Sequence, residues 1–362
     1  MFQQPLPIEY TRLDPEETAS RIGIAKAALG SDLFILGHHY QRDEIIRWAD
    51  ARGDSLKLSQ IAARQTARYI VFCGVHFMAE SADILTDEDR SVILPNLSAG
   101  CSMADMASIR QVEDAWCDIT DVVEEREVVP ITYVNSAASL KAFVGRHRGA
   151  CCTSTNARRI LEWALGQGER IFFFPDQHLG RNTAIAMGFD PDRDMALWDP
   201  HEPFGGLDAE KVKRARVLLW KGHCSVHQRF TVEQIERARR EHPGVRVIVH
   251  PECAREVVQA ADMNGSTEYI IQQVSQAPAG TTWAVGTEIN LVNRLQQEHP
   301  DRTVFCLDPV ICPCSTMYRI HPRYLCWVLE NLAAGRVVNE VRVKPEIRRW
   351  ARLALDRMLE CS

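Results

Sequence analysis

Twelve cysteines stand in this 362-residue chain, and three strand-like apolar runs end in one. A run from residue 91 leads to Cys101, a second from residue 217 to Cys224, and a third from residue 303 to Cys312 and Cys314, which flank a proline. Structural zinc takes four ligands, usually in closely spaced pairs, and no C-x-x-C motif occurs. Three thiolates from separate loops fit a 4Fe-4S cluster, one per chain, with one iron left without a protein ligand. Such an iron is a Lewis acid for carbonyls and leaving hydroxyls, which favours dehydration or condensation over electron transfer. On this ground the third ligand is Cys312 or Cys314. Cys73, Cys117, Cys151, Cys253, Cys306, Cys326 and Cys361 read as core residues, and Cys152 as a small apolar neighbour of Ser154.

A second set of residues recurs with the cysteines. Ligands of parallel α/β sheets sit outside the carboxyl ends of the strands. Strand-like runs here end in His38, His39 and Tyr40, in Tyr133 and Asn135, and in His250 and Glu252. Hydroxyl residues then open the next helices at Ser55, at Ser154 and Thr155, and at Ser266 and Thr267. Helix starts offer unpaired N–H groups suited to carboxylate or phosphate, so a small polyanion is the expected ligand. Taken singly, a Ser or Thr at a helix start is ordinarily a cap. Three repeats with the same residue classes at matching points are harder to obtain from capping.

The elements that must carry these residues can be read in order. Asp14, Pro15 and Glu17 announce a leading helix. A strand at 33–36 breaks at G-H-H-Y (37 to 40), a helix is expected over 43–51, and Asp54 or Ser55 caps another. Strands follow at 69–74 and 91–94. The order recurs at 130–136, 170–176 and 217–220, with Cys152 opening a helix, and again at 245–252, 282–288 and 303–306, after a capping box of Thr231 and Gln234. The stretch 190–206 reads as an exposed excursion. His321 and Pro322 begin a helix that Gly335 stops, and an amphipathic helix runs from Pro345. Strands alternating with amphipathic helices indicate parallel sheets covered by helices. The expectation is an α/β fold of three related parallel βαβ sandwich domains, whose strand ends would converge on a central active site if the domains face one another in pseudo-threefold arrangement. Its parts are a leading helix (1–30), α/β units at 31–115, 116–230 and 231–320, and C-terminal helices (321–362) packed on the body.

Composition narrows the class further. The chain is 46% hydrophobic and 25% charged with net charge -6, and its pI is near 6.1. That balance argues against an extended nucleic-acid surface, and Arg237, Arg239 and Arg240 read as a solvated helix face. No run approaches the roughly 18 apolar residues of a membrane span. The amino terminus lacks the basic and apolar regions of a signal peptide, so a cytoplasmic location is expected.

The ordered motifs G-H-H-Y (37 to 40), G-D-S-L (53 to 56), F-C-G-V-H-F-M-A-E (72 to 80), A-G-C-S-M-A (99 to 104), Y-V-N-S (133 to 136), C-T-S-T-N-A (152 to 157), G-H-C-S-V-H-Q (222 to 228), H-P-E-C (250 to 253), G-S-T (265 to 267), G-T-E (286 to 288) and C-P-C-S-T-M (312 to 317) resemble the quinolinate synthase family over about residues 30 to 330. The resemblance implies an enzyme of NAD biosynthesis that condenses iminoaspartate (iminosuccinate) with dihydroxyacetone phosphate to quinolinate, releasing phosphate and water. It implies a 4Fe-4S cluster on Cys101, Cys224 and Cys314, the last chosen over Cys312 because Met317 matches the family pattern. Substrate contacts fall on His38, Ser55, Tyr133, Asn135, Ser154, His250, Glu252 and Thr267. Tyr40, Tyr133, His227, His250 and Glu252 become the catalytic candidates, and no role transfers to His39. An aspartate-oxidising partner is expected because iminoaspartate hydrolyses readily. Other readings are a different iron-sulfur hydro-lyase on a similar scaffold, which would not need dihydroxyacetone phosphate, and a non-catalytic metal or redox sensor.

Overall fold

The computed structural model describes residues 3–361. They form two compact units, one made of the residues up to Cys101 with Cys312–Lys344, the other of Ser102–Ile311 with the segment from Pro345. Among the described residues there are three sheets, all parallel, and the fold is α/β.

The first unit holds β1 (Leu33–His38), β2 (Ala51–Gly53), β3 (Tyr69–Cys73) and β4 (Ser91–Ile93), in the order β2-β1-β3-β4. All five residues of β3 are buried, as expected of a strand with both sheet faces covered. The helix Pro15–Leu29 starts at Asp14, whose carboxylate accepts the Glu17 N–H. It is tied to the helix Pro322–Ala333 by Arg21, which meets Glu330 at 2.6 Å. The helix expected over 43–51 is only Asp43–Ile46. Asp50 ends it, because its backbone N–H donates to the Ile35 carbonyl and its carboxylate accepts the Ile35 N–H, so the chain turns extended into β2.

The second unit holds two sheets. One contains β5 (Val128–Tyr133), β6 (Ala150–Cys152), β7 (Arg170–Phe174), β8 (Met195–Trp198) and β9 (Val217–Trp220), ordered β6-β5-β7-β9-β8. The other contains β10 (Arg246–Val249), β11 (Met263–Asn264), β12 (Thr282–Gly286) and β13 (Thr303–Cys306), ordered β11-β10-β12-β13. Two sequence expectations are corrected here. Cys152 ends β6 and the following helix begins only at Ala157. The excursion at 190–206 contains β8, which pairs with β9 and buries Trp198.

Aromatic side chains fill the five-stranded sheet's core: Phe172 lies 5.2 Å from Phe174 and 6.2 Å from Trp220, ring centre to ring centre. Burying each such side chain is worth about 1.5 to 3 kcal/mol. The last helix, Pro345–Glu360, buries Ala351, Ala354, Leu355 and Met358 in this unit. It approaches the helix Ala138–Arg146 so closely that a Cβ on Gly145 would lie 2.0 Å from the Trp350 carbonyl oxygen. Cys117 departs from its expected core position. It is exposed, because Val112, Ala115, Trp116 and Ile119 form the buried stripe of its helix. Cys306 and Cys361 are half-buried. No helix among the described residues is long and apolar enough to cross a membrane.

Candidate active site

Each of the three cysteine stretches folds into the same local device. Cys101, Cys224 and Cys314 are each followed by serine and a turn, then by a one-turn 3-10 helix three residues on: Ala104–Met106, His227–Arg229 and Met317–Arg319. Seven residues after each cysteine comes the N-cap of an α-helix: Ser108, Thr231 and His321, all with side chains that accept a backbone N–H. Counted from Cys312, both spacings would be lost. Cys224 and Cys314 also accept, through their carbonyls, the N–H four residues ahead. Gly222 sets the approach to Cys224, since a Cβ there would stand 2.2 Å from the Pro175 carbonyl oxygen.

The thiols differ in burial as well as position. Cys101, Cys224 and Cys314 are half-buried. Burial pushes the thiols of Cys73, Cys151 and Cys326 up to about 12 and that of Cys306 to about 11, and raises Cys152 and Cys253 as well. Those six stay protonated at neutral pH, and a protonated thiol is a poor ligand.

Within the first unit, the loops of several sequence candidates are bound together. The Gln41 side chain, just past Tyr40, donates to the Met317 carbonyl at 3.3 Å. Arg42 donates to the Tyr318 carbonyl and lies over the Tyr318 ring. Arg319 in turn donates to the Ser98 carbonyl at 2.7 Å, and Asn96 donates to the Arg319 carbonyl at 3.1 Å, so the stretch entering Cys101 is fixed to the turn leaving Cys314. His38 ends β1, its Nδ1 accepts the Tyr40 N–H, and the two rings meet edge to face at 4.7 Å. His39 is buried beside them. Asp54, not Ser55, caps the helix Ser55–Ala62, so the Ser55 hydroxyl is not used as the cap.

The second unit gathers Tyr133, Ser154, His227, His250 and Glu252. Both oxygens of Glu252 are bonded: Oε1 accepts the Tyr133 O–H at 2.5 Å, and Oε2 pairs with His227 Nδ1 at 2.8 Å. His227 Nε2 meets Thr287 Oγ1 at 3.2 Å. The His227 and His250 rings stack at 4.4 Å. His250 Nδ1 accepts the Glu252 N–H, which leaves Nε2–H to donate to Ser154 Oγ at 3.2 Å. Full burial, with His227 alongside, lowers His250 to about 3, so it is neutral at physiological pH. Burial alone would raise the Glu252 carboxyl. The adjacent imidazoles and the hydrogen bonds from His227 and Tyr133 reverse that, and Glu252 stays ionised. Asn135 Oδ1 is buried without a hydrogen-bond partner. Thr267 is the first residue of a helix capped by Ser266, and Ser154 precedes its helix by three residues, so neither is a cap. Ser154 and Thr155 share a recess of about 510 Å³ with Asn264, Gly265 and Ser266.

Cys224 belongs to the same cluster. Its Sγ and ligand atoms of His227 and Glu252 lie within 4.8 Å of one another, a grouping able to hold a metal. Ser102 and Ser225, the residues after Cys101 and Cys224, lie hydroxyl to hydroxyl at 3.3 Å. Three supports escaped the sequence reading. Thr287 holds the far side of His227. Asn182 donates to the carbonyls of Pro251 and Cys253, each at 2.9 Å, and so clamps the loop of His250 and Glu252. The fully buried Lys141 donates to the Ser136 carbonyl, bracing the loop of Asn135. Thr287 lies within the G-T-E motif, the one signal that pointed to it; a mid-helix Asn and a Lys carry none.

A family model described as "NadA: Quinolinate synthetase A protein" matches residues 21–360. The chain belongs to the quinolinate synthetase A family. Relatives of this family named quinolinate synthase include one from Corynebacterium glutamicum, 58% identical over 358 residues, spanning 99% of this chain and 91% of the relative. One from Rhodopirellula baltica is 55% identical over 362 residues, spanning 97% of this chain and 92% of its own length. One from Geobacillus kaustophilus is 57% identical, spanning 99% and 97%. As a member of this family the chain is an enzyme.

Proposed function

We propose that the chain is a quinolinate synthase of NAD biosynthesis, condensing iminoaspartate with dihydroxyacetone phosphate to quinolinate with release of phosphate and water. The observation that carries this reading is the buried Tyr133–Glu252–His227–Thr287 chain, in an enzyme 55 to 58% identical over nearly its whole length to proteins named quinolinate synthase.

In this reading a 4Fe-4S cluster is held by Cys101, Cys224 and Cys314. Its support is the shared turn, the half-buried thiols and the Ser102–Ser225 pairing. When bound, the cluster supplies a Lewis-acidic iron. Glu252, ionised and bonded on both oxygens, takes protons from substrate carbon or nitrogen through the Tyr133 hydroxyl. His227 Nδ1–H holds Glu252 in place, and Thr287 orients His227. Neutral His250 directs its Nε2–H to Ser154 and presents the pair to a substrate carboxylate. Thr267, at a helix start whose cap is Ser266, serves a second carboxylate, and the unpartnered Asn135 Oδ1 accepts a substrate N–H or O–H. His38 and Ser55 are substrate contacts, and Tyr40 assists proton transfer. We place the enzyme in the cytoplasm, supplied by an aspartate-oxidising enzyme.

The test is an anaerobic assay of iron-loaded protein with both substrates. Quinolinate that requires both is the expected result. A loaded protein making none sinks the proposal, and turnover without dihydroxyacetone phosphate turns it into a hydro-lyase.

A further inference from the structure

The turn that carries Cys314 lies in a stretch with little cover of its own: Val310, Ile311 and Cys312 before it are exposed, and so is Tyr318 within it. Its backbone closes on Cys314 itself, because the Tyr318 N–H donates to the Cys314 carbonyl at 2.9 Å. Three successive carbonyls of the 3-10 helix, those of Met317, Tyr318 and Arg319, each accept from a side chain elsewhere in the first unit. Gln41 Nε2 donates to the Met317 carbonyl at 3.3 Å and lies 3.5 Å from the Met317 sulfur. Arg42 donates to the Tyr318 carbonyl at 2.5 Å, and Asn96 to the Arg319 carbonyl at 3.1 Å. A single 3-10 turn has too few internal bonds to hold its own shape, so these outside donors set where it sits.

Two of the three donors, Gln41 and Arg42, directly follow Tyr40 in the chain. Gln41 is 1% exposed, so its amide meets the turn without competition from water. Arg42 does more than donate: its guanidinium carbon stands 3.4 Å from the centre of the Tyr318 ring and covers one face of it. At the other end the segment is anchored on β1, where the Tyr40 N–H donates to His38 Nδ1 at 3.1 Å and the Gln41 N–H to the His38 carbonyl at 3.0 Å. An unbroken run of hydrogen bonds thus joins the end of β1, the loop of Tyr40 and the turn of Cys314.

We infer that Gln41 and Arg42 are positioning residues that hold the turn of Cys314 in the shape that takes up iron and tie it to the loop of His38 and Tyr40. The inference rests on Cys314 being a cluster ligand, as proposed above. Because linkage is reciprocal, iron that fixes the turn also fixes the loop of Tyr40, and a loosened loop weakens iron binding.

The test compares anaerobically loaded wild type, Gln41→Met, Arg42→Met, Arg42→Lys and, as a control, Arg21→Met, which breaks the ion pair with Glu330 in the same unit. Iron loss to a chelator is followed by the decay of visible absorbance. Gln41→Met and Arg42→Met should lose iron about tenfold faster than wild type. Arg42→Lys keeps a cationic donor and should recover most of the difference, and Arg21→Met should match wild type. In metal-free protein, hydrogen exchange in the peptide 314–320 should rise about tenfold in Arg42→Met. Iron loss from folded Arg42→Met within about twofold of wild type, equal acceleration in Arg21→Met, no recovery in Arg42→Lys, or unchanged exchange in 314–320 overturns the inference. A wild type that takes up no iron, with exchange still raised in Arg42→Met, leaves the two residues positioning the turn and defeats the cluster reading instead.

Discussion

Glu252 holds one hydrogen bond on each oxygen, from a phenol and from an imidazole, inside a site with almost no solvent exposure. A carboxylate so placed accepts a proton without waiting for its own geometry to form, the condition for efficient general-base catalysis. Glu252→Gln keeps the shape and removes the basicity. Its kcat should fall by about 10²- to 10⁴-fold, while iron content and visible absorbance remain those of the wild type. Thr287→Val should act more mildly, since it removes the hydroxyl that meets His227 Nε2 and leaves Glu252 in place: a loss of about tenfold in kcat with KM little changed is expected, read from steady-state kinetics. At this scale the sequence was informative wherever a polar residue closed an apolar run. It was silent on Asn182 and Lys141, because a side chain that braces a distant loop looks like any other polar residue of its helix.

Among the elements, the turn after each cysteine is the most regular. Its cysteine, its 3-10 helix three residues on and its N-cap seven residues on recur in all three stretches, which makes Cys314 the counterpart of Cys101 and Cys224. Anaerobically purified Cys314→Ala should therefore lack bound iron, while Cys312→Ala, altered at an exposed position outside the repeat, should retain it. An iron assay and the visible spectrum decide between them. The loop of His250 and Glu252 depends on a neighbouring helix through Asn182. Asn182→Leu leaves two carbonyls without their donor and should cost about 2 to 4 kcal/mol of stability, measured by denaturant unfolding.

For the whole molecule, buried titratable groups set the pH response. His178 and His250, held down to about 4 and about 3, are neutral in the folded chain but take up protons in the unfolded chain below about pH 6.5. Each therefore withdraws stability as pH falls from there toward its folded value. Asp176 has the opposite sign: protonated when folded and ionised when unfolded above about pH 4, it withdraws stability as pH rises. From about pH 6 down to about pH 4 the two histidines thus make the unfolded chain bind more protons than the folded one, and Asp176 opposes them. Asp176→Asn should steepen the acid slope and flatten any decline as pH rises, as measured by unfolding at several pH values.

What the sequence determined by itself was local or periodic. The apolar runs, the caps at Asp14 and Thr231, the cysteine at three strand ends and the parallel α/β class all follow from residues near one another in the chain. Three of the four strands of two or three residues, β2, β6 and β11, and the edge strand β8 were beyond it, because so few residues form a strand only when a neighbouring strand supplies the hydrogen bonds; β4 alone was legible, from its apolar run. The structure, not the residue types, decided which of two neighbouring residues is the cap, since Asp54 and Ser266 accept the N–H three residues on and Ser55 and Thr267 are the first helical residues. It also decided the charge states of Glu252, His250 and Asp176, which depend on burial and on partners far away in the chain, and a residue's type carries no record of either.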